Sequence, residues 1–189
     1  RTMNQISGKS VCEGVAIGPI RCFRESAHAV ERRAIENAEA ELQRLEAARL
    51  QALENLQGLY ERAVEEVGEE HAAVFEIHQM MLEDEDYLDS IRTGIANNMH
   101  NAEFAVSETR EEFAAMMAEM DDPYMQARAA DVRDISDRLL VCLCGKSEEE
   151  ENTLPGDTPV ILAARDLTPS QTVQLDKSRI LALVTAEGT

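Results

Sequence analysis

The chain has no tryptophan, only 4% aromatic residues, and 18 Lys and Arg against 37 Asp and Glu, a net charge of −19. A surface this negative repels phosphate backbones and anionic lipid headgroups alike. That charge argues against nucleic acid and membrane partners. No apolar run approaches the roughly 20 residues of a spanning helix, and the N-terminus, RTMNQISGKS, lacks the apolar core of a secretory signal, so a cytoplasmic, soluble protein is expected.

Cysteine is scarce too. Cys12 and Cys22 fall in an expected β-hairpin, while Cys142 and Cys144 lie two apart near a helix end, a spacing that matches neither a C-x-x-C redox motif nor a zinc knuckle. Buried or incidental thiols are the reading these positions allow. The four histidines, His28, His71, His78 and His100, have no partner at helical metal-ligand spacing, and there is no G-x-x-x-x-G-K or G-x-G-x-x-G cradle for phosphates. Among 37 acids no general acid–base pair stands out. On the residues alone the chain is a binding module.

What is present is enough for a core: 44% hydrophobic residues over 189 positions, one ordinary domain or two small ones. Lys9 to Cys12 and Val15 to Phe23 are rich in β-formers and punctuated by Gly8, Gly14 and Gly18, which predicts two short strands. From about Ser26 to Val67 apolar residues recur every three or four positions, predicting one long helix. Gly68 breaks it, and a second helix runs to Asn97. A third spans Asn101, a candidate N-cap, to Met120, and Asp122-Pro123 opens a fourth that reaches Cys144 before Gly145. Lys146 to Pro159 is a polar, Glu-rich connector. Val160 to Ala164 and Ile180 to Thr185 then read as buried strands around a short helix opened by Thr168-Pro169-Ser170. The expected fold is α+β in two subdomains: residues 26–145 form four helices in two antiparallel hairpins, inserted into a discontinuous α/β subdomain of residues 1–25 and 146–189.

One stretch stands out, Gly68 to Tyr87. Seven carboxylates (Glu69, Glu70, Glu76, Glu83, Asp84, Glu85, Asp86) flank Val74, Phe75, Ile77, Met80, Met81 and Leu82, with no Lys or Arg among them. Either it is an apolar contact inside a negative rim, suited to a basic protein partner, or it is an ordinary amphipathic helix with a solvated acidic face and Met80 and Met81 in the core.

Four motifs carry a family resemblance: SGKSVCEGVAIG (Ser7 to Gly18), EIHQMMLEDED (Glu76 to Asp86), DDPYMQARAADVRDISDRLL (Asp121 to Leu140) and ARDLTPSQT (Ala164 to Thr172). In this order they resemble the N-terminal, HPr-binding region of enzyme I of the bacterial phosphoenolpyruvate:sugar phosphotransferase system. Cys12 and Glu13 depart from the Ser-Pro common in the family's hairpin. The resemblance implies a swivelling phosphohistidine-type α/β subdomain. Its histidine takes phosphoryl from phosphoenolpyruvate, bound with Mg²⁺ in a C-terminal domain of the parent enzyme, and hands it to the phosphocarrier HPr. That histidine lies in the family just past the strand matching Ile180 to Thr185, whereas this chain ends at Thr189. The resemblance therefore implies an N-terminal fragment, truncated within the α/β subdomain, without its nucleophile or a cofactor of its own. It is expected to be inactive and monomeric, from a homodimeric parent.

Residue by residue, the resemblance places the HPr-binding face on Glu69, Glu70, His78, Met80, Met81, Glu85 and Asp86 with Tyr124, Met125 and Arg128, and gives Thr172 a role in orienting the absent histidine. Two alternatives stay open: the related domain of a dihydroxyacetone-kinase phosphotransfer subunit, and a helical adaptor with no phosphoryl chemistry.

Overall fold

The computed structural model describes residues 7–23, 30–145 and 158–186. The start of the expected long helix at Ser26, His28 and most of the polar connector lie outside the described residues. The chain divides into two compact units. One holds the strands; the other holds the helices, including residues 167–175.

In the helical unit, α1 runs Ala38–Val67 and buries Leu45, Ala48, Ala52, Leu56, Leu59 and Ala63, the 3-4 stripe read from the sequence. It starts later than the periodicity suggests. Asn37 is extended, and its side chain accepts a hydrogen bond from the Ala40 N–H at 3.1 Å, a local cap that defines the first turn. Upstream, the backbone pairs with residues 99–101 instead of coiling. The Ile35 N–H donates to the Met99 carbonyl at 3.1 Å, and the Asn101 N–H to that of Arg33 at 3.1 Å. Ile35 thus joins the core from an extended segment, which mimics helical spacing. At Val67 the helix stops because Gly68, at φ 92, takes a conformation that disfavours a side chain while its N–H closes on Ala63 and Val64.

The expected second helix is two, α2 (Glu69–Leu82) and α3 (Glu85–Ala96). Asp84 accounts for the break. Its carboxylate accepts the Tyr87 N–H at 2.9 Å, so the residue read as part of an acidic rim is an N-cap that starts a new axis. Among the described residues the helical part therefore has five main helices rather than four. α4 covers Ala102–Glu119 and α5 Pro123–Leu143, where Asp122 caps the Tyr124 N–H ahead of the helix-starting proline, as the sequence predicts. Asn101 stands at the N-cap position of α4 without capping it; its side chain accepts from Arg33 N–H and donates to Glu103. Glu41 of α1 accepts the Ala102 N–H at 2.6 Å instead, so the cap is supplied by another helix.

α1 packs on α2, α4 on α5, α3 on α4, and α5 on α1, around a shared core that includes Phe75, Leu82, Ile91, Ile95, Val106, Ile135 and Leu139. Tyr87 and Ser136 share a buried hydrogen bond of 2.8 Å between α3 and α5. The short helix α6, Pro169–Gln174, also packs against α1, with Val173 on the main core. The sequence reading grouped it with the α/β segment; its neighbour is the helical hairpin. Thr168 opens it with a capping box, accepting from the Gln171 N–H while the Gln171 side chain accepts from the Thr168 N–H.

Among the described residues the other unit holds a three-stranded sheet, β1 (Ile20–Cys22), β2 (Val160–Ala164) and β3 (Ile180–Thr185), in that spatial order and all parallel. β2 and β3 fall where the apolar runs predict. The N-terminal hairpin does not form among the described residues. Lys9 to Cys12 is not a strand, and the later segment contributes only β1, paired in parallel to β2 with Ile20 opposite Ile161 and Cys22 opposite Ala163. A strand partner some 140 residues away outcompetes the local turn, leaving Cys12 and Cys22 exposed with free thiols.

Candidate functional site

The residues singled out by the sequence occupy three turns of structure rather than one continuous stripe. Glu69 and Glu70 are exposed in the first turn of α2, where carboxylates suit the positive end of a helix dipole. Eleven residues further, about 16 Å along the axis, Met80 is 70% exposed. Met81 turns inward and packs beside Ala114, Ala129 and Val132, joining α2 to α4 and α5. The two methionines thus split the alternatives between them: one is surface, the other is partly core. Beyond the break, Glu83, Asp84, Glu85 and Asp86 are all exposed. Arg92 moderates that rim, donating to Glu85 at 3.1 Å and Asp89 at 3.0 Å.

On α5 the ring of Tyr124 is 60% exposed, and the Arg128 guanidinium lies over it, Cζ 4.6 Å from the centroid. Met125 is half-buried. The Met116 side chain at the end of α4 is also exposed. Exposed sulfur, an exposed aromatic ring and exposed carboxylates are side chains of the kind that bury apolar area inside a charged border when a partner docks.

His78, expected among the contact residues, is fully buried. Its Nε2 lies 3.0 Å from Asp131 Oδ1 and its Nδ1 3.6 Å from Asp134 Oδ2, with Phe75 edge-on at 6.2 Å. The other Asp131 oxygen accepts from Arg128 Nη1 at 2.6 Å. Asp131 is the residue that the sequence reading missed. Its only trace in the sequence is the i, i+3 spacing from Arg128, whereas its bond to His78 joins positions 53 apart. The remaining described histidines are separate from this cluster: His71 is exposed on α2, and His100 is buried with Nδ1 2.9 Å from Glu108. Thr172 belongs to α6, where its hydroxyl donates to the Thr168 carbonyl at 3.0 Å. Among the described residues no three His, Cys, Asp or Glu side chains gather as a metal site. Nor is any helix of the described residues long and apolar enough to cross a membrane.

The family model for the N-terminal region of phosphoenolpyruvate-utilising enzymes ("PEP-utilising enzyme, N-terminal") matches residues 7–128, both the start of the sheet unit and most of the helical one. The chain belongs to that family. A phosphoenolpyruvate-protein phosphotransferase of Geobacillus stearothermophilus is 36% identical over 183 residues, covering 97% of this chain and 31% of the relative. The Haemophilus influenzae phosphotransferase is likewise 36% identical, over 97% of this chain and 32% of its own length. The chain therefore spans about a third of these relatives. A solution structure of Enzyme I (nEIt) matches with a TM-score of 0.71 at 29% identity, covering 90% of this chain and 68% of that one. A solved "N-terminal domain of Enzyme 1 - Nitrogen" matches in fold, with a TM-score of 0.66 at 24% identity over 93% and 71% of the two chains. An α+β fold with helical hairpins and a small parallel sheet is common to this family member and those domains.

Proposed function

We propose that this chain is the carrier-docking portion of a phosphoenolpyruvate-protein phosphotransferase, and that its helical unit receives HPr. The observation that carries the reading is the exposure of Met80 on α2, Tyr124 on α5 and the carboxylates of the α2–α3 break, on a chain of net charge −19. A basic carrier with apolar residues around its own histidine complements such a surface, and a small, charge-ringed interface suits rapid turnover. Glu69, Glu70, Met80, Met81, Glu85, Asp86, Tyr124, Met125 and Arg128 form the face in this proposal.

In the relay, phosphoryl passes from phosphoenolpyruvate to a histidine of the longer enzyme, releasing pyruvate, and then from that nitrogen to the HPr histidine. A P–N bond breaks as another forms, and the docking face contributes alignment. None of His28, His71, His78 and His100 fills that role. Thr172 is proposed to support the reacting histidine, and a C-terminal phosphoenolpyruvate domain, holding Mg²⁺ in a dimeric cytoplasmic parent, is proposed to supply the group. Residues 1–25 and 146–189 are proposed as the phosphohistidine subdomain and 26–145 as the docking subdomain, with 167–175 packed on the helical side.

An NMR titration of this chain with unphosphorylated HPr at low and moderate salt tests docking directly. Shifts confined to Glu69–Asp86 and Tyr124–Arg128 that weaken as salt rises are expected. No shift at several hundred micromolar HPr rejects the docking assignment and leaves the helical-adaptor reading.

A further inference from the structure

We propose that His78 is a positioning residue for the docking face: from beneath it, the imidazole anchors Asp131, and Asp131 holds the Arg128 guanidinium over the Tyr124 ring. Only the binding consequence of this inference rests on the docking reading.

The four side chains form a path from core to surface. Their side chains go from 0% exposure at His78 through 15% at Asp131 and 18% at Arg128, and the path ends at Tyr124, a residue 60% exposed. Each link is short: 3.0 Å from His78 Nε2 to Asp131 Oδ1, 2.6 Å from Arg128 Nη1 to Asp131 Oδ2, and 4.6 Å from Arg128 Cζ to the Tyr124 centroid. A carboxylate only accepts, so the imidazole donates through Nε2. Each Asp131 oxygen is thus bound by a different donor, one from α2 and one from α5. Buried imidazole is costly unless its polar atoms find partners, and here the bond is spent across a helix–helix contact. With His78 in place, Asp131 has one orientation to offer Arg128. A long cationic side chain fixed before a partner arrives does not have to be ordered on binding, which favours association. Phe75 packs edge-on to the ring, and Asp134 Oδ2 sits 3.6 Å from Nδ1, outside hydrogen-bond range, so the bond to Asp131 is the short polar contact that orients the imidazole.

The test uses His78→Leu, which removes the donor, and His78→Gln, whose amide reaches about as far as Nε2 and keeps one. In the 189-residue chain without partner, the Arg128 Nε–Hε and Tyr124 ring signals are expected to move and broaden in H78L and to stay near their original positions in H78Q. HPr titration then reads the coupling. H78L and Arg128→Ala should each weaken binding about five- to tenfold, while the double variant binds no worse than R128A alone. Unchanged Arg128 and Tyr124 signals in H78L overturn the proposal, as do losses that simply multiply in the double variant. Should the parent chain fail to bind HPr, the docking reading falls, yet the partner-free signals still decide the positioning role. Asp131→Asn, similar in volume but without the charge, is expected to release Arg128 in the same way and serves as the second variant if H78L does not fold.

Discussion

At the scale of single residues, the strongest polar device in the helical unit is Arg44. It donates to Glu103 through both terminal nitrogens at 2.7 Å, to Glu41 at 2.6 Å and to the Leu143 carbonyl at 3.2 Å, tying α1 to the start of α4 and the end of α5. Burial alone pushes the Glu103 carboxyl upward, but the bonds from Arg44, its own backbone N–H and Asn101 outweigh that and hold it down at about 2. Glu41 is lowered as well, chiefly by its hydrogen bond from Arg44. A carboxyl lowered on folding contributes stability in full above its unfolded value, 4.5 for Glu103, and loses it progressively as pH falls toward about 2. Glu103→Gln is expected to cost about 2 kcal/mol at pH 7, a figure reduced from that of a fully buried pair because Arg44 is more than a third exposed. The same variant should flatten the decline between pH 4.5 and 2.5. Urea denaturation at a series of pH values measures both; an unchanged acid limb would assign the acid sensitivity to other carboxylates.

At the scale of elements, the junction of α2 and α3 depends on one side chain. Asp84→Ala removes the cap on Tyr87 and is expected to destabilise the helical unit by about 1 kcal/mol without changing the denaturant slope, whereas Asp84→Asn, which still caps, stays within a few tenths. Equal losses in both variants would place the effect in charge rather than in capping. The same junction explains what could be read in advance. α4, α5, β2 and β3 were legible because their signals are local: Asp122-Pro123 fixes a helix start, and short apolar runs bounded by polar turns fix strands. The break at Asp84 was not legible, because an aspartate in an acidic run reads equally as rim or cap until its neighbour's N–H is placed. The start of α1 was misread because Ile35 reaches the core at helical spacing without being helical. Among site residues, the sequence left Met80 open between surface and core, and Tyr124 came only from the resemblance; the packing of α2 and α5 leaves both exposed. The burial of His78 was not legible either, since it depends on Asp131 arriving from another helix.

At the scale of the whole molecule, a net charge of −19 acts on folding and on the proposed docking with opposite signs. Thirty-seven acids on one chain repel one another at low ionic strength, a penalty carried by the compact state because unfolding spreads the charges apart. Added salt shortens the screening length from roughly 30 Å at 0.01 M to about 10 Å at 0.1 M, relieving repulsion over the distances between neighbouring helices. Local ion pairs respond oppositely, yet Arg44–Glu103 and Arg128–Asp131 hold at 2.7 and 2.6 Å, too close for mobile ions to screen fully. Thermal stability is therefore expected to rise by a few degrees between about 10 and 300 mM NaCl, over the range in which the proposed HPr docking is expected to weaken. Parallel melting curves and titrations in the same buffers check the pair of trends. Stability that fell with salt would mean that the specific pairs dominate the general repulsion, and the excess of acids would then be accounted for by folding alone, with no partner needed to explain why so much negative charge is kept on the chain.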